Sequence, residues 1–186
     1  MSGTLSGVAS DGRLVQAQEV LRQRAESLAQ AGEDAVTVET AGLLLFRLGE
    51  EWYAVTIDRV REILNEYEVT RIPRVPDFIL GVINVRGEIV SVTDIATLMH
   101  VPSRVEVDFS GELPSAIIVA NEQCVSAIVV DEIGDIVEIV QESIEPPLST
   151  LDKSQGEYIS GSVYIEGRLV GIVNLEKAIE PIGETS

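Results

Sequence analysis

The chain carries a partial copy of itself. Gly81-Val-Ile-Asn-Val-Arg-Gly87-Glu-Ile-Val-Ser-Val-Thr-Asp-Ile95 lies over Gly161-Ser-Val-Tyr-Ile-Glu-Gly167-Arg-Leu-Val-Gly-Ile-Val-Asn-Leu175 at an offset of 80 residues. Both copies read as a strand, an X-Gly turn, a second strand, and then Asp or Asn in position to cap a short helix. A weaker copy places Phe46…Ile57-Asp58-Arg-Val60 over Val119…Val130-Asp131-Glu-Ile133 at an offset of 73. Such duplication within 186 residues predicts two similar small β-barrels of about five short strands each, too few for a large open sheet.

Composition agrees with the strands. Valine and isoleucine number 25 and 19, nearly all beyond residue 35. Such side chains lose χ1 freedom in helices and pack well on pleated sheets. The predicted strands are Leu43–Leu48, Trp52–Ile57, Phe78–Val85, Glu88–Thr93, Ser115–Ala120, Cys124–Val130, Asp135–Val140, Tyr158–Ile165 and Arg168–Val173. Tight turns at Gly49-Glu50-Glu51, Arg86-Gly87, Asn121-Glu122-Gln123 and Glu166-Gly167 separate several of them. Short helices are expected at Asp58–Leu64, Asp94–His100 and Leu175–Ile179. The stretch Ile133–Ile144 has helical apolar spacing and strand-like composition, and both readings stand.

The first 40 residues differ. Residues 1–10 are small and polar, and disorder is expected there. Leu14, Leu21 and Leu28 then recur every seven residues, with Ala17 and Ala25 on the same stripe. This predicts an amphipathic helix over about 13–31, with Asp11 as N-cap and Gly32 as C-cap. Residues 33–42 read as a linker. A face this narrow must lie against its own domain, against a second copy by self-association, or against another protein.

Charge excludes several functions. With 13 basic and 31 acidic residues the net charge is −18, which repels a phosphate backbone and anionic lipid, so neither nucleic-acid binding nor direct membrane insertion is expected. The apolar runs fall far short of a membrane helix, and no signal peptide is visible. A lone cysteine, Cys124, suits a reducing compartment. One histidine, His100, leaves little for a zinc site or a histidine-based triad; no catalytic residue, metal site or cofactor is expected. Cys124 reads as a small core residue and His100 as a helix-end residue. From Arg104 to Pro147 ten acids face one base, either a solvated face or a patch for a basic partner.

Each repeat acts as a control on the other. Both turns keep glycine, at Gly87 and Gly167, but the preceding residue is Arg86 in one and Glu166 in the other. The turn therefore does not require arginine. A guanidinium at a rigid hairpin tip suits recognition of a carboxylate, or is simply solvated. Upstream, Asp58 is placed to cap a single helical turn, and Val60, Ile63 and Leu64 form one apolar stripe with Glu62 pointing elsewhere. Pro73 and Pro76 are expected to hold an extended connection toward Gly81.

Taken in order, Phe46-x-Leu-Gly-x-x-Trp-Tyr-Ala-Val, Val60-x-Glu-Ile63, Ile72-Pro73-x-x-Pro76-x-x-Ile79-x-Gly81-Val-Ile-Asn84-Val-Arg86-Gly87-x-Ile-Val, Ile128-Val-Val-Asp131 and Ile144-x-Pro-Pro147 resemble the CheW-like chemotaxis coupling proteins. The resemblance spans about residues 41–180, leaving a 1–40 extension and a 181–186 tail outside it. It implies a mainly β fold of two intertwined five-stranded SH3-like β-barrels with short connecting helices, and it favours a strand at Asp135–Val140. It further implies a cytoplasmic, non-enzymatic adaptor recruited to membrane-associated arrays. Such an adaptor bridges the cytoplasmic tip of chemoreceptors to the regulatory domain of the histidine kinase CheA, with the receptor's helical hairpin in a groove between the barrels. The receptor-side residues so implied are Val60, Glu62, Ile63, Gly81, Asn84, Arg86 and Gly87. Ala127 stands where the family often has glycine. A CheW-like scaffold for another sensory array, such as surface motility, is the nearest alternative, and an acid/base hydrolase on two small barrels a more distant one.

Overall fold

The computed structural model describes residues 4–30, 38–102, 113–147, 149 and 153–179. A long helix, α1 (Thr4–Gln30), precedes ten strands: β1 (Thr40–Leu48), β2 (Glu51–Thr56), β3 (Val60–Leu64), β4 (Ile79–Val85), β5 (Glu88–Asp94), β6 (Ala116–Ala120), β7 (Val125–Val129), β8 (Glu132–Val140), β9 (Ile159–Ile165) and β10 (Arg168–Val173). Among the described residues there are also single-turn helices α2 (Ile95–Leu98), α3 (Lys153–Gly156) and α4 (Leu175–Ala178) and two 3-10 turns.

The strands form two five-stranded sheets, ordered β8-β1-β2-β10-β9 and β3-β6-β7-β5-β4. Replacing each strand by its repeat partner (β1 by β6, β2 by β7, and so on) turns one order into the other. The sheets are nevertheless not the repeats. Each takes two strands from one half of the chain and three from the other, joined by the parallel pairs β2–β10 and β5–β7 and the antiparallel pairs β1–β8 and β3–β6. The two halves are intertwined.

The core follows this exchange. Successive residues of β1 and β6 are buried on alternate faces: Leu44, Phe46, Ile117 and Val119 enter a central cluster between the sheets. Leu43 packs within the first sheet, while Ala116 and Ile118 pack within the second. Burial on both faces is why these strands read as continuous apolar runs. Phe46 and Tyr53 stack in the centre, with ring centroids 6.1 Å apart.

Both X-Gly hairpins are as expected. Arg86 and Glu166 share a left-handed backbone, φ 52° and 51°, each followed by a glycine with φ 87° or 77°, the pattern of a two-residue turn matched to strand twist. Asp94 caps α2 by accepting from the Thr97 amide at 3.2 Å. Asn174 caps α4 through the Glu176 amide at 3.1 Å.

Other expectations are corrected. No helix spans Asp58–Leu64: Ile57–Arg59 is a 3-10 turn followed directly by β3. Asp58 does not cap that turn; Thr56 precedes it, with no side-chain cap. The N-terminal helix starts at Thr4 rather than near residue 13, so residues 4–10, expected to be disordered, are helical, and Asp11 is inside the helix and is not its N-cap. Gly32 and Leu28's side chain lie outside what is described. Residues 33–37 of the expected linker do too, while Thr40–Gly42 already belong to β1. Cys124 precedes β7. The Ile133–Ile144 ambiguity resolves as β8 followed by a 3-10 turn. The connection to β4 is broken by a turn at Pro73-Arg74, where Arg74 has φ 62°, so it is not extended throughout. Single-turn α3 was not foreseen.

Candidate functional site

All seven implied site residues lie on the second sheet: Val60, Glu62 and Ile63 on β3, Gly81 and Asn84 on β4, and Arg86 and Gly87 in the β4–β5 turn. Although β3 and β4 stand at opposite ends of the strand order, the sheet curls until they come within side-chain reach. The Arg86 guanidinium donates to Glu62 Oε1 at 3.2 Å, and Arg61 lies 3.9 Å from Glu88. Glu62 is the covered member, 17% exposed, whereas Arg86 is 80% exposed. Such a pair stabilises the fold by only about 0–1 kcal/mol. Much of the guanidinium therefore faces outward from a backbone position that the sister turn gives to glutamate.

Three of the site residues hold the backbone. Asn84 Oδ1 accepts from the Gly87 amide at 2.9 Å and closes the turn. Gly87 supplies the second left-handed position. Gly81, with φ 150°, lies against the connection from β3: a Cβ there would overlap the Thr70 carbonyl oxygen. That contact is a two-bond bridge, Thr70 N to Val82 O at 2.8 Å and Val82 N to Thr70 O at 2.9 Å. The other sheet repeats it between Glu145 and Ser162, where a Cβ on Gly161 would press on Glu145 O at 3.0 Å.

Val60 and Ile63 are 3% and 6% exposed and sit in the central cluster. Leu14 of α1, 2% exposed, shares that cluster. Helix α1 packs along β3 of one sheet and β8 of the other, the seam where the sheets meet. The amide of Gln18 reaches the carbonyls of Ile57 and Val60 at 3.4 and 3.5 Å. Leu21 covers Gly42, where a Cβ would overlap its Cδ1. On the β8 side Arg13 lies 3.4 Å from Asp135, and Arg24 pairs with Glu138. Of the predicted stripe, Leu14, Ala17 and Leu21 are buried or half-buried, Ala25 is exposed, and the Leu28 side chain lies outside the described residues. Ala127 is fully buried in the apolar cluster of the second sheet.

Comparison with known proteins places the fold. A family model described as the CheW-like domain matches residues 42–182. The chain belongs to the CheW-like family. Among similar proteins, the chemotaxis protein CheW of Klebsiella aerogenes is 35% identical over 144 residues, 76% of this chain and 84% of that protein. CheW of Treponema pallidum is 30% identical over 129 residues, 69% and 76% of the two chains. The crystal structure of the scaffolding protein TtCheW from Thermoanaerobacter tengcongensis superimposes with a TM-score of 0.67 at 28% identity, covering 78% of this chain and 97% of that one. The CheW-like match begins after α1. Among the described residues, no helix is long and apolar enough to cross a membrane.

Proposed function

We propose that the protein is a cytoplasmic chemotaxis adaptor that couples chemoreceptors to the histidine kinase CheA in a membrane-associated array. The CheW-like match over residues 42–182 carries this reading. The named relatives are chemotaxis and scaffolding proteins, and the chain acts by binding rather than by chemistry.

On the receptor side, Arg86 and Glu62 form the charged edge of the contact. Arg86 offers outward donors for a partner carboxylate, and Glu62 holds its guanidinium in place. Val60 and Ile63 are its apolar part. Gly81, Asn84 and Gly87 set the backbone on which those side chains stand. Rim charges of this kind set orientation and association rate more than total affinity.

Co-sedimentation tests the proposal. The protein is mixed with a receptor cytoplasmic fragment and with a CheA regulatory domain, singly and together. A ternary complex exceeding either pair is expected. Binding to neither would move the adaptor to another sensory array.

A further inference from the structure

We infer that α1 is a resident competitor for the partner's helix: it occupies the seam between β3 and β8 and must leave before that helix can seat. The inference rests on the reading that a receptor hairpin enters the groove between the two sheets.

Four observations carry it. First, α1 engages the implied site itself, since Gln18 donates to the Val60 carbonyl at 3.5 Å and Leu14 enters the cluster that holds Val60 and Ile63. A partner helix cannot use these groups while α1 does. Second, the match to the CheW-like family model starts at residue 42, so α1 lies outside the matched domain.

Third, the seat is shallow. The two Gln18 bonds are long, at 3.4 and 3.5 Å, and the Arg13–Asp135 pair is open to water on both sides, 70% and 81% exposed. Val15 and Val20 remain 62% and 44% exposed, and α1 does not fill its groove. A cleft of about 570 Å³ lies between it and β8, and one of about 350 Å³ runs from Arg13 to Ile63. A helix with a fuller apolar face would fit better. Fourth, the far wall is acidic, with Asp135 and Glu138 meeting Arg13 and Arg24, so the groove favours a helix with a basic edge. A ligand that must first displace a resident segment binds with an affinity reduced by the fraction of molecules in which the site is open.

The test uses the full chain and a soluble cytoplasmic-hairpin fragment of a chemoreceptor from the same organism. Hydrogen exchange is followed across residues 12–26 while the fragment is titrated in. At saturation α1 should lose protection while β3 and β8 keep theirs. Two variants loosen the helix. Gln18→Glu turns an exposed amide donor into an acceptor facing two carbonyls. Leu14→Asp with Leu21→Asp removes the apolar seat; should that variant misfold, Gln18→Glu still decides. If α1 is seated in nine molecules of ten, its release tightens fragment binding about tenfold. Fragment binding with α1 still protected, and unchanged affinity in the variants, would overturn the inference and leave the receptor reading intact. Protection of α1 that rises with protein concentration would assign the helix to a second copy, and would also overturn it. A fragment that binds neither wild type nor variants would remove the receptor reading and this inference together.

Discussion

Arg86 and Glu166 occupy the same left-handed turn position in the two repeats, with φ 52° and 51°, so the fold has already tried both charges there. Arg86→Glu should therefore keep the fold, with stability lowered by no more than about 1–2 kcal/mol from the lost pair and the new repulsion by Glu62. Binding to a receptor fragment should weaken about tenfold, the scale of one charge-assisted contact. Urea unfolding alongside titration separates the two effects, and a variant that no longer folds would make Arg86 structural. Two nearby glycines should behave differently. Alanine at Gly81 would collide with the Thr70 carbonyl, so a loss of about 2–4 kcal/mol is expected. Alanine at Gly87 meets nothing within 4 Å and carries only the left-handed backbone cost, about 1–2 kcal/mol. Equal urea midpoints for the two variants would show that the bridge from Thr70 is not what requires Gly81.

Elements differ in how plainly the sequence announces them. The hairpins were legible because their turns demand glycine and their strands alternate. The strands β3 and β8 were less plain, β3 reading as a helix and β8 as either helix or strand, for a shared physical reason. Each contains a bulge: pairing shifts between Val60 and Glu62 in β3, and opposite Leu44 and Phe46 in β8. An extra residue in a strand puts side chains three apart on one face, as with Val60 and Ile63 or Ile133 and Ile136, and a spacing of three imitates a helix. The site was legible only as a set of residues. That Glu62 lies beneath Arg86, and that Asn84 closes the turn, depends on the curl of the sheet, which no local pattern records. Another long-range tie was invisible: Asn121 Nδ2 donates to the Leu175 and Ile179 carbonyls at 3.1 Å, holding α4 to the β6–β7 turn.

Tyr67 is a further such tie and makes stability depend on pH. Its hydroxyl donates to the Pro114 carbonyl at 2.6 Å, and burial pushes its pKa up to about 12 from the usual 10.0. The raised value favours the protonated, folded form. That contribution is complete below pH 10 and is lost as pH rises toward 12, because the unfolded chain ionises first. Tyr53 is shifted the same way by burial and by its bond to Glu51. Tyr67→Phe should cost about 1 kcal/mol at neutral pH and flatten part of the alkaline decline in urea midpoint. A decline unchanged by the substitution would place its source elsewhere.

At the scale of the molecule, the exchange of strands between halves makes the two sheets one cooperative unit. Neither half contains a complete sheet, since β1 and β2 need β8–β10, and β6 and β7 need β3–β5. Separately expressed fragments 1–102 and 113–186 should each fail to give dispersed amide spectra, and mixing them should restore the spectrum of the whole. A fragment that folds alone would show that the shared central cluster is not required. The intact chain should unfold in one transition, with fluorescence and circular dichroism coincident.

The same exchange sets an order of assembly during synthesis. The second sheet has all its strands once residue 129 has been made, whereas the first waits for residue 173. Through that interval β1 and β2 exist as a lone hairpin with unpaired edges and apolar side chains on both faces, a form that two strands alone do not stabilise in water and that invites pairing with other chains. A ribosome therefore presents the sheet that bears Arg86 with all its strands made and the other sheet unfinished. The vulnerable moment of this protein's life is the time taken to translate its last third.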